Sequence, residues 1–305
     1  MLPLGRGCYK QSMASRKKED ATENVLELFR TAASLPDEQI DLVEGALLIA
    51  QGEYAKLDRA VYRLQVEEMS REAREVCSNR TGVGAGVQTV IPTGQRLAQL
   101  SQLFSARWGF HGNLEDYYDP RNSFLNDVLD RRTGIPITLS LVYIEVGRRA
   151  GMSLVGVGMP GHFLVGSADR SDIYVDAFSG GALLTREDCA ARLRQLQPGV
   201  VFRPEFLDPV GPRQILTRML SNLLDIYLRT ERFPKALSAL EMILCLQPDE
   251  PGWLRRRALV HFQLKNYSRA IADLEQYIER APEDADREEA VKQLKLLHHL
   301  RGMVN

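Results

Sequence analysis

A histidine and an aspartate stand on two short strand-like runs in the segment GHFLVGSADRSDIYVDAF (161–178). His162 opens the first run and Asp176 nearly closes the second. A polar turn separates the runs, which predicts a pair of antiparallel strands. A His and an Asp on paired strands are two thirds of a nucleophilic triad, so the segment raises the question of where a nucleophile could stand.

The composition is that of a globular protein without a nucleic-acid or membrane signature. The chain has 305 residues, 44% of them hydrophobic and 26% charged, with a formal net charge of -1. A near-neutral chain has no global basic field for nucleic acid, and no apolar run reaches the ~20 residues that a membrane span requires. The sequence therefore predicts no nucleic-acid and no membrane partner.

The cysteines and glycines do not form a recognisable metal, cofactor or phosphate site. The glycine-rich stretch 77–95 lacks the GxxxxGK[ST] pattern, and we interpret it as a flexible surface loop. No cofactor and no metal are predicted. Widely spaced cysteines favour a reducing compartment over a disulfide framework. The four cysteines are Cys8, Cys77, Cys189 and Cys245.

Helices precede strands in the middle of the chain, which is typical of an α+β fold. The segment TLSLVYIEVGRRAG (138–151) has so broad an apolar face that it predicts a helix buried in a core, ended by Gly151. Further helices are predicted over 39–51, 57–69, 96–110 and 123–132, and strands over 153–158, 162–166 and 172–176.

The C-terminal part repeats itself with a period of 34 residues. RFPKALSALEMILCLQP is followed, at that offset, by NYSRAIADLEQYIERAP, with small, aromatic and proline positions in agreement. This is the tetratricopeptide period and pattern. We therefore predict two helical-hairpin repeats, at about 217–250 and 251–284, and a closing helix over 284–303.

Three segments together resemble a known family. NSFLNDVLDRRTGIPITLSLVYIEVGRRAGM (122–152), PGHFLVG (160–166) and YVDAFSGG (174–181) resemble the transglutaminase-like core of the SirB family. These are proteins of bacterial and plastid lineage in which tetratricopeptide repeats commonly follow the core. The resemblance implies a helix-rich, papain-like α+β core with a small antiparallel sheet, followed by an all-α repeat segment.

The resemblance also assigns the site residues. The wider superfamily uses Gly-x-Cys at the start of the core helix, then a histidine and an aspartate on neighbouring strands. His162 and Asp176 match the last two, but Pro136 occupies the cysteine position. The resemblance thus implies a degenerate, relict site in which no catalytic residue is assigned.

Three other residues could in principle replace the missing cysteine as the nucleophile. Ser140 lies one turn deeper than Pro136 on the same helix face, and a hydroxyl there more commonly bonds back to a helix carbonyl. Cys189 lies in an apparent helix capped by Thr185, and Cys77 precedes the glycine-rich loop.

Binding is the other use of the site. His162 and Asp176 could be a purely structural pair, the centre of a relict cleft that binds a peptide, amide or small ligand, or a catalytic remnant. Asn122, predicted as a helix cap, and Tyr117 and Tyr118 are candidate contact residues at the cleft rim.

Taken together, the sequence predicts a protein-interaction or scaffold protein with a protein or peptide partner bound by the repeats. The alternative is an amide-directed hydrolase or acyltransferase that uses His162 and Asp176 with an unrecognised nucleophile. We predict a basic tail over 1–22 that could be a transit remnant, a core over 23–210 and the repeats over 211–305. The expected location is intracellular, in the cytoplasm or the chloroplast stroma, and not secreted.

Overall fold

A computed structural model describes residues 24–78, 80–82, 88–169, 172–283 and 285–304. The described residues form two compact units. Residues 36–219 are called the core unit, and residues 24–35 with 220–304 are called the repeat unit. The repeat unit includes the N-terminal helix α1 (24–33). The predicted basic tail and Cys8 lie outside the described residues.

The core unit is built around one buried helix. In α6, all residues from Pro136 to Gly147 are buried. Helices α2, α3 and α5 and the sheet pack against it. This confirms the predicted core helix. The helices are α2 (Leu42–Gln51), α3 (Arg59–Val76), α4 (Thr93–Gln102), which continues as a π-helix over Leu103–Arg107, α5 (Leu125–Arg131), α6 (Pro136–Arg149) and α7 (Arg186–Leu196).

Local chemistry sets both ends of α6. Pro136 is the first helical residue, where its missing N–H removes no helical hydrogen bond. The Ile135 N–H donates to Thr138 Oγ1 at 3.2 Å, and that hydroxyl donates to the Asn122 carbonyl at 2.7 Å. Beyond the helix, Gly151 takes φ +79, a conformation that favours glycine.

A five-stranded antiparallel sheet with the order β8-β7-β6-β5-β9 lies against α6. The three predicted strands are confirmed as its central members, whereas the short outer strands β8 and β9 were not predicted. The glycine-rich stretch, which was predicted as a loop, instead contributes two short strands, β1 and β2, which pair antiparallel. The strands are β1 (Arg80–Gly82), β2 (Gln88–Val90), β3 (His111–Gly112), β4 (Thr133–Gly134), β5 (Leu154–Val157), β6 (Leu164–Ser167), β7 (Tyr174–Asp176), β8 (Ala182–Leu184) and β9 (Pro209–Val210).

The tetratricopeptide repeats are confirmed, and the 34-residue period extends to the backbone. Glu231 and Lys265, one period apart, both take positive φ, at +52° and +59°. The hydrogen bond from Arg232 N to Tyr227 O recurs from Asn266 N to His261 O, both at 2.8 Å. The helices are α8 (Pro212–Arg229), α9 (Phe233–Leu246), α10 (Gly252–Gln263), α11 (Tyr267–Arg280) and the closing helix α12 (Ala285–Val304).

Candidate functional site

The turn before β6 and the last residue of β7 bring His162 and Asp176 together. His162 Nε2 lies 3.0 Å from Asp176 Oδ1, and the two side chains are 6% and 0% exposed. The carboxylate lies off the Nε2–H direction, so the contact is electrostatic rather than a well-aligned hydrogen bond. Among the described residues, no group bonds to Nδ1, the ring nitrogen that remains for a further partner.

Asp176 is held in its ionised form by several donors. Ser179 donates its backbone N–H to Oδ1 at 3.1 Å and its hydroxyl to Oδ2 at 2.9 Å. The Arg192 guanidinium, on α7, lies 3.2 Å from Oδ2. Burial alone raises the pKa of Asp176, but the contact with His162 and the Ser179 bonds outweigh it and hold the pKa below its ordinary value.

The sequence interpretation missed both Ser179 and Arg192. Ser179 follows Asp176 by three residues in a turn, a spacing at which an Asp side chain commonly caps the backbone. That signal could have been found. Arg192 gave no signal, because an arginine on an amphipathic helix usually faces solvent.

The expected alternatives to a cysteine at position 136 are sealed in the core. The Ser140 hydroxyl is fully buried and lies 3.4 Å from the Phe163 carbonyl oxygen, to which it donates. Cys189 packs under the sheet against Val157 and Leu193, and burial raises its pKa to about 12. Burial likewise raises the pKa of Cys77 to about 11. A thiol must ionise to attack, so neither cysteine is prepared as a nucleophile.

Tyr117 is connected to His162 through an aromatic ring. The Phe178 ring lies edge-on to both, with centroids 6.2 Å from His162 and 6.1 Å from Tyr117. Tyr117 and Tyr118 are 41% and 59% exposed. The two tyrosines are therefore accessible from solvent on the side where Phe178 covers His162.

Asn122 organises the loop behind these tyrosines. It is fully buried, and its amide donates to the Asp116 carbonyl at 2.7 Å. The predicted helix-cap role is wrong, because α5 begins at Leu125 after Phe124, without a side-chain cap. Since its side chain is used inside the loop, Asn122 acts on the rim only by positioning it.

One arginine on α8 fixes the turn that carries His162. Arg218 Nη2 donates to the Met159 carbonyl at 3.1 Å and to the His162 carbonyl at 2.7 Å. The guanidinium also lies 5.4 Å from the centroid of the Phe163 ring. The sequence interpretation did not identify this residue, whose role depends on a contact between distant segments.

Within the described part of the chain, no group of three or more His, Cys, Asp or Glu residues is placed to hold a metal ion. None of the helices described is long and apolar enough to cross a membrane. The site is thus a buried His–Asp pair, supported by Arg192 and Ser179 and bordered by Phe178 and Tyr117.

Comparison with known proteins finds one matching family model for the transglutaminase-like part of the chain and one for the repeats. A family model described as the transglutaminase-like superfamily matches residues 56–221, and a tetratricopeptide repeat model matches residues 223–295. A UPF0162 protein of Xylella fastidiosa (strain Temecula1) is 36% identical over 263 residues, which cover 85% of this chain and 90% of that protein. A UPF0162 protein of Vibrio cholerae is 30% identical over 272 residues, or 87% of this chain and 97% of that protein. F-box only protein 21 of Homo sapiens is 27% identical over 266 residues, covering 79% of this chain and 42% of that protein.

Proposed function

Because the chain belongs to the UPF0162 family, which joins a transglutaminase-like domain to tetratricopeptide repeats, we propose that it is a protein-interaction or scaffold protein with a catalytically degenerate core. The repeats carry a helical surface of the kind that commonly binds protein segments. The relict cleft at His162 adds a second binding place. The partner is a protein or peptide, met in the cytoplasm or the chloroplast stroma.

The proposal is supported chiefly by Pro136, the residue that the resemblance places at the nucleophile position. Pro136 has no nucleophilic atom, and it begins the helix that offers its N-terminal N–H groups to an anion. The substitutes weighed from the sequence, Ser140, Cys77 and Cys189, are each 0% exposed. A substrate carbonyl must come within about 3.5 Å of a nucleophile to react, and these side chains give it no access.

One observation favours the alternative of an amide-directed hydrolase or acyltransferase. Asp176 faces Nε2 of His162, which leaves Nδ1 without a described partner, as a general base would need. An enzyme of this kind requires a nucleophile other than Ser140, Cys77 and Cys189 that reaches His162.

Covalent probes separate the two functions. The purified protein is treated with iodoacetamide and, separately, with a fluorophosphonate, and adducts are mapped by mass spectrometry. His162→Ala removes the proposed relict base, and His261→Ala, the other buried histidine of the described chain, is the matched control. We expect the same adducts in all three proteins, because no nucleophile depends on His162. An adduct that is lost only in His162→Ala overturns the proposal and identifies the nucleophile.

A further inference from the structure

The Arg218 guanidinium is held in a fixed position beside His162. Both backbone carbonyls that accept from Nη2 belong to the turn before β6, and the cation lies over the buried ring of Phe163. Its Nε and Nη1 groups have no hydrogen-bond acceptor among the described residues. The Nε–H and Nη1–H groups of the guanidinium therefore remain available as hydrogen-bond donors.

Among the described residues, no carboxylate lies within ion-pair distance of Arg218. Asp176, the carboxylate that contacts His162, is neutralised by Arg192 and hydrogen-bonded by Ser179. Burial lowers the pKa of Arg218, and the phenol of Tyr117 is the one titratable group described that acts in the opposite direction. A largely buried cation without a counterion is costly, because carbonyl dipoles replace only part of its hydration.

The surroundings of this cation suit an organic anion rather than a bare ion. Tyr117, Phe178 and His162 form a row of rings with successive centroid separations of 6.1 and 6.2 Å. Tyr117 is 41% exposed, so this row extends from solvent to the buried histidine. A ligand with an apolar or aromatic group beside its charge would contact the rings and the guanidinium together.

We propose that Arg218 is a binding residue for a carboxylate group of a peptide ligand, with Tyr117 and Phe178 contacting the neighbouring part of that ligand. The inference rests on the proposed function, and it names the ligand class of the relict cleft. A carboxylate is favoured over a phosphate because one uncompensated positive charge matches a monoanion. The Nε–H and Nη1–H groups remain as charge-assisted hydrogen-bond donors to such an anion.

Three small organic probes and inorganic phosphate test the proposal by NMR titration of the protein with labelled histidine rings. N-acetylphenylalanine carries an α-carboxylate and a ring, and N-acetylphenylalaninamide differs only in lacking the charge. N-acetylglutamic acid α-amide carries its carboxylate on the side chain, which separates a chain terminus from an acidic residue as the source. We expect at least one carboxylate probe to shift the His162 signals and to bind about tenfold or more tightly than the amide.

Arg218→Gln should reduce binding of the carboxylate probe to the level of the amide. The matched control is Arg186→Gln, an exposed arginine of the same unit that pairs with Asp172, and it should bind like the unsubstituted protein. If Arg218→Gln does not fold, the comparison of carboxylate and amide on the unsubstituted protein still decides. The proposal is overturned if the carboxylate and amide probes bind equally, if neither binds, or if inorganic phosphate binds more tightly than the carboxylate.

Failure of this inference and failure of the proposed function can be told apart, because reversible binding and covalent adducts are different readouts. A His162-dependent adduct with preferential carboxylate binding would retain the Arg218 site and reject the scaffold proposal. If the adducts are the same with and without His162 and the carboxylate probes show no preference, the scaffold proposal is retained and the Arg218 site is rejected.

Discussion

Each unit of the molecule contains a buried His–Asp pair, and the two pairs differ in what surrounds them. In the core unit, His162 Nε2 is 3.0 Å from Asp176, at the ends of two strands and beside a row of aromatic rings. In the repeat unit, His261 Nε2 is 3.9 Å from Asp273, inside a helical hairpin. The Arg257 guanidinium donates to both carboxylate oxygens of Asp273, from Nη2 to Oδ1 at 2.6 Å and from Nε to Oδ2 at 2.9 Å.

The comparison shows that burial of a histidine beside an aspartate does not by itself make a site. Asp273 is committed to Arg257, and the His261 ring is left with a buried, unpartnered Nδ1. Burial lowers the pKa of His261, as expected for a ring kept neutral in a core. The pair around His162 differs in its connection to exposed tyrosines, through which a ligand could reach it.

The largest effect should come from removing either carboxylate. Asp176→Ala and Asp273→Ala should each lower the free energy of unfolding of their own unit by about 3–5 kcal/mol, since each leaves an arginine without its buried partner. The chain has two tryptophans, Trp108 in the core unit and Trp253 in the repeat unit. Denaturation of single-tryptophan variants, each with the other tryptophan replaced by Phe, reports the units separately.

The control for both substitutions is Asp172→Ala. Asp172 is 71% exposed in its pair with Arg186, so its removal should change stability by less than about 1 kcal/mol. If Asp176→Ala behaves like this control, the carboxylate does not hold the strand ends together.

A second substitution should disturb only the pair in the core unit. A Cβ on Gly112 would lie 2.5 Å from the Phe178 ring, so Gly112→Ala should cost about 1–3 kcal/mol and displace that ring. NMR should show shifts of the His162 ring signals and none of the His261 ring. Gly199→Ala, where a Cβ meets nothing within 4 Å, should be nearly neutral. Equal effects of the two alanines would contradict the packing described.

Acid should affect the two pairs in different pH ranges. The lowered pKa of His261 means that the unfolded state takes up its proton first, so stability present above pH 6.5 is lost as the pH falls below that value. The lowered pKa of Asp176 contributes stability above pH 3.8, which is lost as the pH falls below that value. His261→Gln should remove part of the decline of the Trp253 transition between about pH 6.5 and 5. An unchanged pH profile would mean that His261 is not held neutral.

The smallest effect concerns the turns of the repeats. Lys265 takes φ +59°, a conformation that costs an L-residue about 1–2 kcal/mol. Lys265→Gly should therefore stabilise the repeat unit by roughly 0.5–1 kcal/mol after the entropy cost of glycine. Glu231→Gly, at the equivalent position one period earlier, should do the same in thermal unfolding. A loss of stability in both would contradict the conformation assigned to these turns.

Local pattern was enough to predict β5 to β7, α6 and the helical repeats, because strand alternation, apolar stripes and a 34-residue period are written in neighbouring residues. The same pattern identified His162 and Asp176, and the resemblance added Pro136 as the nucleophile position. Arg218 and Arg192 could not be predicted, because each reaches the site from a later helix on which an arginine ordinarily faces solvent. The role of Asn122 was also missed, because its partners are backbone carbonyls that only the folded loop brings within reach.

The most direct test of the account introduces a thiol at position 136, where the resemblance expects a cysteine. In Pro136→Cys, the new thiol would stand at the N-terminus of α6, and the account places it beside His162. Its pKa should fall, so that the ultraviolet absorbance of the thiolate persists at about pH 6, where an ordinary thiol with a pKa near 8.5 is protonated. Absorbance is measured because position 136 is buried and a reagent need not reach it. The account predicts a thiolate fraction at pH 6 about tenfold or more larger in Pro136→Cys than in the double variant that also carries His162→Ala. Equal thiolate fractions in these two proteins would contradict the placement of Pro136 in a relict nucleophile position.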